Sequence, residues 1–372
     1  MTWGRWFAPG RANLMGEHTD YNEGFVLPFA LAQGVTATAS ARDDGLLVLR
    51  SKQAPDEQVT AAVDTLAPGS VTGWAAYPAG VAWSLRAAGY AVRGASVDVD
   101  SDLPVGAGVS SSAALECSVA LALCALSGVR VDRPELAAIA KRAENDFVGA
   151  PTGIIDQSAA LLCQEGHAML LDCGTLQVTH VPFRPSAAGV AALIIDTRVT
   201  HALVSGEYAA RRVECEAAAR LLRVRALGSV TDLGRLYELP DPMLRRRARH
   251  VITDDARAKA MATALAEGGA REDGTEAFRF AGTLLTEAHV SLRDDFEVSW
   301  TEADVTVDVA ITAGALGARM IGGGFGGSVL ALVPRERLGA VRTAVTETFV
   351  RCGWTPPEFL NAVPSAAARR LA

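Results

Sequence analysis

The sequence predicts a two-domain protein built from mixed helices and strands. Its 372 residues exceed what one small domain needs. Up to about residue 200, short apolar segments typical of strands are interspersed with helical patterns, and long Ala/Arg/Glu-rich helical patterns dominate afterwards. Apolar residues make up 49% of the chain and charged residues 21%, which provides enough material for a core and lacks the composition of a disordered chain.

In the first half, alternating apolar residues predict strands and helical periodicity predicts helices. A turn at Asp43–Gly45 separates the first two strands, and Gly89 closes the first helix. The predicted strands span 35–41, 46–49, 95–99, 168–172, 178–181 and 191–196. The predicted helices span 74–88, an apolar stretch around 115–126, 135–147 and 153–162.

The second half is predicted to be richer in helix. Amphipathic helices are expected at 205–223, 242–268, 274–292 and 335–351, and strands at 318–321, 328–333 and 358–363. No internal repeat or low-complexity linker marks a division. We place the domain boundary between residues 190 and 191, and expect the halves to pack closely with a cleft between them.

Charge and cysteine content exclude several classes of protein. The net charge of −7 argues against a nucleic-acid binder. The six cysteines form no Cys-x-x-Cys pair, which argues against zinc and fits a reducing compartment. The first residues lack an apolar signal core, and no apolar run approaches ~18 residues. We expect a cytoplasmic monomer that binds no membrane.

A Gly/Ser-rich segment lies between a predicted strand and helix at 103–115. Gly106 and Gly108 allow close approach of a ligand and positive φ angles. Ser110, Ser111 and Ser112 follow at the helix start, where backbone N–H groups favour phosphate. The Gly-Lys-Ser/Thr of a Walker A loop is missing. A glycine-rich turn with serine N-caps is an equally good interpretation from spacing alone.

The segment from Ala8 to Asn22 is unusually polar and is interrupted by glycine and proline. Its carboxylates, Arg11 and His18 could bind several sugar hydroxyl groups at once. A polar surface turn is the alternative.

Glu144 lies near the end of one predicted helix, and Asp156 lies early in the next, among apolar residues. Asp156 could be a catalytic carboxylate. Taken alone, its position is explained better as a negative charge near a helix N-terminus, which contributes a few tenths to ~1 kcal/mol.

Five glycines occur in the six residues from Gly322 to Gly327, between two predicted strands. Ordering so many glycines is costly, and a tight turn needs only one or two. Either a ligand approaches this backbone closely or the segment is a glycine-rich hairpin.

Together these segments resemble the GHMP kinase superfamily and, within it, the galactokinase family. Gly10-Arg-Ala-Asn-Leu-Met-Gly-Glu-His-Thr-Asp-Tyr21 is similar to the galactokinase signature. The serine loop and the 322–327 segment are similar to the ATP motif and third motif of the superfamily. Gly153-Ile-Ile-Asp-Gln157 and Gly206-Glu-Tyr-Ala-Ala-Arg-Arg212 also fit. The matches occur in family order over nearly the whole chain.

The resemblance implies a role for each matching residue. Asp156 would accept the proton and Arg11 would stabilise the transition state. Ser112 and Glu144 would hold Mg²⁺. The galactose-binding residues would be Glu17, His18, Thr19, Asp20, Gly153 and Tyr208. ATP would be bound by Gly106, Ala107, Gly108, Val109, Ser110, Ser111 and Ser112.

The resemblance also implies the fold and the reaction. The fold would be α+β, with a mixed α/β N-terminal domain, an α+β C-terminal domain and the active site between them. The reaction would be ATP- and Mg²⁺-dependent phosphorylation of galactose at its anomeric hydroxyl. Two alternatives stay open: a related sugar-1-kinase acting on arabinose, galacturonate or an amino sugar, and a non-catalytic sensor of sugar and ATP.

Overall fold

The computed structural model describes residues 2–104, 106–200, 204–271 and 274–372. Its strands are β1 (Trp3–Asn13), β2 (Phe25–Val26), β3 (Pro28–Arg42), β4 (Leu46–Ser51), β5 (Ala54–Ala62), β6 (Gly94–Ser101), β7 (His167–Asp172), β8 (Val178–Pro182), β9 (Val190–Asp196), β10 (Gly317–Ile321), β11 (Ser328–Pro334), β12 (Glu358–Ala362) and β13 (Arg369–Arg370).

Its helices are α1 (Ala76–Ala87), α2 (Ser111–Ser127), α3 (Arg133–Arg142), α4 (Ile155–Leu162), α5 (Val204–Leu221), α6 (Pro242–Gly268), α7 (Thr275–Asp294), α8 (Thr301–Thr312) and α9 (Leu338–Cys352). A π-helical turn, Ala143–Val148, continues directly from α3. None of the helices in the described ranges is both long enough and apolar enough to cross a bilayer.

The strands of the described residues form three sheets. The first is six-stranded in the order β13-β1-β3-β6-β4-β5, with β4 and β6 parallel and the other pairs antiparallel. The second is antiparallel in the order β10-β11-β9-β12. A small third sheet has the order β2-β7-β8. Because β13 pairs with β1, the end of the described chain returns to the sheet in which it begins.

Two hydrophobic clusters share helices α6 and α7. The larger cluster contains the inner faces of α2, α3 and α4, together with Met261 of α6 and Phe278 of α7. The smaller one lies against the second sheet and includes Val251 of α6 and Leu292 of α7. Each of these long helices therefore packs one end into each cluster. The predicted domain boundary at residue 190 stays a prediction.

The structure confirms the predicted α+β fold class and most elements within a few residues of their ends. Among the described residues, five strands and helices were missed: β1, β2, β5, α8 and β13. The sequence predicts an irregular segment from residue 8 onwards. This prediction is wrong for residues 8–13, because β1 runs through Pro9 and Gly10, with a register shift between Pro9 and Arg11. The helix predicted over 135–147 also changes character, since its last turn is π-helical.

Candidate active site

Asp156, in the first turn of α4, joins three segments that are distant in sequence. Its Oδ1 accepts a hydrogen bond from Arg11 Nε at 2.8 Å, and its Oδ2 accepts one from the Ser110 hydroxyl at 2.5 Å. Arg11, on β1, also donates through Nη1 to the carbonyl of Gly108 at 2.6 Å. The side chains of Arg11 and Asp156 are only 8% and 18% exposed. The ion pair is thus largely shielded from water. Ser110 forms a hydrogen bond with Asp156, and Gly108 forms one with Arg11.

The loop before α2 has the backbone geometry that its glycines allow. Gly106 and Gly108 have φ angles of 80° and 69°, and Ser110 also has a positive φ of 60°. That conformation costs a residue with a side chain about 1–2 kcal/mol. Ser110 makes no side-chain cap for α2 and instead donates to Asp156. The serine-cap interpretation therefore does not describe Ser110, whose strained backbone is typical of a functional site.

Two adjoining cavities meet at Asp156. The small cavity has a volume of about 190 Å³, and the loop cavity, beside the Gly/Ser segment, about 460 Å³. Residues that line both are Arg11, Thr152, Asp156, Gly322 and Gly323. The small cavity is also lined by Glu17, His18, Asp20, Gly153, Ile155 and Tyr208. The loop cavity is also lined by Tyr77, Pro104, Gly106, Ala107, Gly108, Val109, Ser110, Ser111 and Ser112.

All of the predicted sugar-binding residues except Thr19 line the small cavity, and all seven predicted ATP-binding residues line the loop cavity. The Thr19 hydroxyl lies 2.8 Å from the carbonyl oxygens of both Gly16 and Phe25. Thr19 thus stabilises the loop that carries the neighbouring lining residues, and its side chain is fully buried.

A third, apolar cavity of about 270 Å³ adjoins the loop cavity on its far side. Trp74, Tyr77 and Leu115 contribute to its walls, and Tyr77, Ser111 and Ser112 line both cavities. The three cavities therefore form a continuous series, from an apolar pocket through the glycine- and serine-lined loop to the polar pocket around Asp20. Sequence reasoning did not assign Trp74 or Tyr77 to the site, because aromatic residues at the start of a helix also suit a core.

Glu17 links the signature loop, residues 14–24 between β1 and β2, to the glycine-rich segment that follows β10. Its Oε1 accepts hydrogen bonds from the backbone N–H of Gly322 at 3.0 Å and from Arg319 Nη2 at 3.3 Å. Arg319, which is fully buried, also donates to the carbonyl of Asn13 at 2.7 Å. One group that closely approaches the glycine-rich backbone is therefore the side chain of Glu17, which belongs to the protein itself.

Helix α6 supports the same loop from the other side. Asp254 accepts a hydrogen bond from the backbone N–H of Gly16 at 3.1 Å, and His250 Nε2 lies 3.0 Å from the carbonyl oxygen of Glu17. Both α6 side chains are fully buried. These positioning residues were missed because charged residues in an amphipathic helix are usually on its solvent-exposed face.

Burial controls the charge of His18. Its pKa is lowered to about 3, first by desolvation and then by nearby positive charge, beginning with His250. The imidazole is therefore neutral at physiological pH, and its Nδ1 lies 3.0 Å from the Tyr21 hydroxyl.

Asp20 is crowded by its neighbours. Its pKa is raised to about 6, mainly by desolvation and then by the negative charge of Asp156. Gly153 lies so close that a Cβ built there would be 1.4 Å from Asp20 Oδ2. Only glycine leaves room at this position for the carboxylate of Asp20.

The two predicted metal ligands are adjacent, beside the loop cavity. Ser112 Oγ donates to Glu144 Oε1 at 2.9 Å. Glu144 Oε2 accepts hydrogen bonds from the Thr152 hydroxyl at 2.9 Å and from Gln157 Nε2 at 2.7 Å. Burial raises the pKa of Glu144, and the charge of Asp156 adds to this effect. A cation at this point would favour the ionised carboxylate.

These donors fit Mg²⁺ in kind and in spacing. Magnesium prefers oxygen ligands and takes only one or two of them from protein when phosphates supply others. Ser112 Oγ and Glu144 Oε1 are 2.9 Å apart, so one cation could contact both oxygens. No group of three or more His, Cys, Asp or Glu side chains suited to a metal occurs among the described residues, so such a site would depend on these few oxygens.

Comparison with known proteins identifies the family. The profile of the galactokinase galactose-binding signature matches residues 2–41. The profiles of the GHMP kinases N terminal domain and the GHMP kinases C terminal domain match residues 76–164 and 276–351. The chain is 47% identical to a galactokinase of Streptomyces coelicolor, over 99% of this chain and 94% of that protein. The chain belongs to the galactokinase family.

Other relatives agree with this assignment to the galactokinase family. A Mycobacterium tuberculosis galactokinase is 46% identical over 98% of both chains. The crystal structure of Lactococcus lactis galactokinase complexed with galactose matches with a TM-score of 0.93 and 32% identity, over 99% of this chain and 95% of that one. A Methanococcus jannaschii mevalonate kinase matches with a TM-score of 0.65 and 15% identity, over 99% of this chain and 98% of that one, a likeness of fold alone. Membership places the chain in a kinase family whose co-substrate is ATP.

The crowding of Asp20 leads to a prediction about its titration. In the ligand-free protein, its carboxyl group should titrate with a midpoint near pH 6, as followed by carboxyl-carbon NMR. Asp156→Asn should lower that midpoint, because removing a nearby negative charge favours the ionised form. Asp98→Asn, at a surface carboxylate paired with Arg50, is the control and should leave it unchanged. A midpoint at the ordinary value of an aspartate, or one insensitive to Asp156→Asn, would contradict this description.

Proposed function

We propose that this protein transfers the γ-phosphoryl group of ATP to the anomeric hydroxyl of galactose, giving galactose 1-phosphate and ADP. The observation that carries the proposal is the location of Asp156 on the wall shared by the small cavity and the loop cavity, in hydrogen-bond contact with Arg11 and Ser110. A group there can contact an acceptor on one side and a phosphate on the other.

The small cavity suits a sugar. Its walls supply the carboxylates of Glu17 and Asp20, the neutral imidazole of His18 and the phenol of Tyr208. Carboxylates accept hydrogen bonds from hydroxyl groups, and phenol can both donate and accept. Its volume of about 190 Å³ is suited to one small polar molecule.

ATP would occupy the other two cavities. Backbone N–H groups at the start of α2 and the glycine-rich loop favour phosphate, and the loop cavity is open between them. The apolar cavity continues from it, with Trp74 and Tyr77 at its walls, and would accommodate the adenine ring by apolar and aromatic contact. In this arrangement the terminal phosphate would lie towards Asp156, which lines the same cavity as the loop.

In the proposed reaction, Asp156 accepts the proton of the anomeric hydroxyl as its oxygen bonds to the γ-phosphorus and the bond to the β-phosphate oxygen breaks. Each carboxylate oxygen of Asp156 already accepts one hydrogen bond and retains a lone pair for this proton. The guanidinium of Arg11 is close enough to stabilise negative charge that develops on the sugar oxygen or the transferring group. Positioning and charge stabilisation of this kind account for most of phosphoryl-transfer catalysis.

Ser112 and Glu144 would hold Mg²⁺ against the phosphates. The chemistry that Mg²⁺ would supply there is neutralisation of the phosphate charge. Thr152 and Gln157 donate to the Glu144 oxygen that faces away from Ser112, so the other oxygen stays beside the Ser112 hydroxyl. Monomeric state and cytoplasmic location stay predictions from the sequence.

Asp156→Asn tests the proton acceptor. The change keeps the shape of the side chain and removes its basicity, so kcat should fall on the order of 10²-fold or more, the usual contribution of general base catalysis. Galactose affinity, measured by calorimetry, should change far less. Asp98→Asn serves as the matched surface control. A kcat within a few-fold of the unsubstituted protein would exclude Asp156 as the base.

Glu144→Gln tests the metal site. The Mg²⁺ concentration for half-maximal rate should rise, because an amide is a weaker ligand than a carboxylate, while the galactose KM should change little. Glu135→Gln, on α3 and bonded to Tyr90, is a control from the same region. An unchanged Mg²⁺ titration in Glu144→Gln would remove Glu144 from the ligand set.

Sugar choice tests the substrate assignment. ADP release should be far faster with galactose than with glucose, arabinose, galacturonate or N-acetylgalactosamine, because a site built to bond one hydroxyl can discriminate by ~10⁴-fold against its absence. A better rate with another sugar would identify a different sugar-1-kinase, and no turnover with any sugar would favour a non-catalytic sensor.

A glycine variant tests whether Asp20 contributes to galactose binding. Gly153→Ala should displace the Asp20 carboxylate and raise the KM for galactose, with the KM for ATP close to normal. The control is Gly339→Ala, where a Cβ would meet nothing within 4 Å. Equal galactose KM values in the two variants would exclude Asp20 from the sugar site.

A further inference from the structure

A buried carboxyl group that the reaction does not use lies behind Glu144. Glu116, on α2, and Gln157, on α4, are both 0% exposed. Gln157 Nε2 donates to Glu116 Oε2 at 3.0 Å and to Glu144 Oε2 at 2.7 Å. One amide nitrogen therefore bridges two carboxyl groups, one of which is the proposed metal ligand.

We propose that Glu116 is a positioning residue for the metal site: by accepting from Gln157 Nε2, it holds the amide so that its nitrogen faces Glu144. The anchored Glu144 then keeps Oε1 beside Ser112. This inference rests on the proposed role of Glu144 as a Mg²⁺ ligand.

The orientation of the Gln157 amide needs a cause, because the two ends of an amide have nearly the same shape. If the amide were turned over, its carbonyl oxygen, a hydrogen-bond acceptor, would face the acceptor oxygens of Glu116 and Glu144. Gln157 Oε1 is buried and has no hydrogen-bond partner among the described residues, so no contact at that end fixes the orientation. The nitrogen, Gln157 Nε2, donates to both Glu144 and Glu116. Glu144 also accepts a hydrogen bond from Ser112, and Glu116 is the acceptor that is not bonded to Ser112.

Placement on the helix supports the same conclusion. Glu116 lies one helical turn after Ser112 on α2, so both side chains lie on one face of the helix. Ser112 lies at the wall of the loop cavity, whereas Glu116 lies one turn deeper, where Gln157 can reach it. Helix α2 thus contacts Glu144 directly through Ser112 and indirectly through Glu116.

The test measures metal binding directly, without turnover. Loss of the free Mn²⁺ EPR signal in the presence of ADP reports the metal affinity of the protein–nucleotide complex, and calorimetry reports galactose affinity. The variants are Glu116→Leu, which removes the acceptor, Glu116→Gln, which keeps one, and Gln157→Leu. Ser118→Ala is the matched control, since Ser118 is buried on the same helix and, among the described residues, its hydroxyl donates to the carbonyl of Leu115 within that helix.

Glu116→Leu and Gln157→Leu should each weaken Mn²⁺ binding by about 10-fold, the usual effect of removing a residue that orients a metal ligand. Glu116→Gln should stay within about twofold of the unsubstituted protein, because its side-chain carbonyl oxygen can still accept. The double variant should be no weaker than either single variant, since both changes break one chain of contacts. Galactose affinity should not change.

Three results would overturn the inference: unchanged Mn²⁺ affinity in Glu116→Leu, equal losses in Glu116→Gln and Glu116→Leu, or the same loss in Ser118→Ala. If Glu116→Leu does not fold, an unchanged Mn²⁺ affinity in Gln157→Leu overturns it equally well. Glu144→Gln is measured alongside. If that variant binds Mn²⁺ normally, the proposed metal site fails and the inference with it; if it alone is weakened, only the inference fails.

Discussion

The buried ion pair between Arg11 and Asp156 is the interaction on which the rest of the site depends. A charged pair largely removed from water is costly unless its remaining hydrogen-bonding positions are satisfied. Here the Ser110 hydroxyl donates to Asp156 and the Gly108 carbonyl accepts from Arg11, and both groups belong to the glycine- and serine-rich loop. The same contacts that stabilise the pair therefore hold the loop against β1 and α4, and so fix where the small cavity and the loop cavity meet.

A second set of contacts brings the C-terminal half of the chain to the same point. Arg319 and Gly322 bind the side chain of Glu17, while His250 and Asp254 of α6 contact the backbone of the signature loop. The side chains that face the small cavity are thus held from behind by groups from distant parts of the sequence. Since α6 and α7 also pack into both hydrophobic clusters, the position of this loop is tied to the packing of the whole chain.

Most of the polar residues that line the small cavity and the loop cavity could be predicted from the sequence, because they lie in short, densely spaced motifs. Elements that break local rules were missed. Strand β1 contains a proline and a glycine at its irregular register, and α8 is rich in the β-branched residues that favour strands. Glu116 and Asp254 gave no signal either, because an acidic residue within a helix has the same pattern whether it faces solvent or reaches a buried partner. The hydrogen bond from Ser110 to Asp156 depends on the positive φ angle of Ser110. The sequence does not predict this angle, because residues other than glycine rarely adopt it.

A crystal structure with galactose and a non-hydrolysable ATP analogue tests the central claim most directly, because that claim concerns where Asp156 stands relative to both substrates. The account predicts that the anomeric hydroxyl oxygen lies within hydrogen-bond reach, about 2.6–3.2 Å, of an Asp156 carboxylate oxygen and faces the terminal phosphate. Arg11 should remain bonded to Asp156 beside them. A complex in which the anomeric hydroxyl points away from Asp156, or in which the terminal phosphate lies outside the loop cavity, would contradict the account.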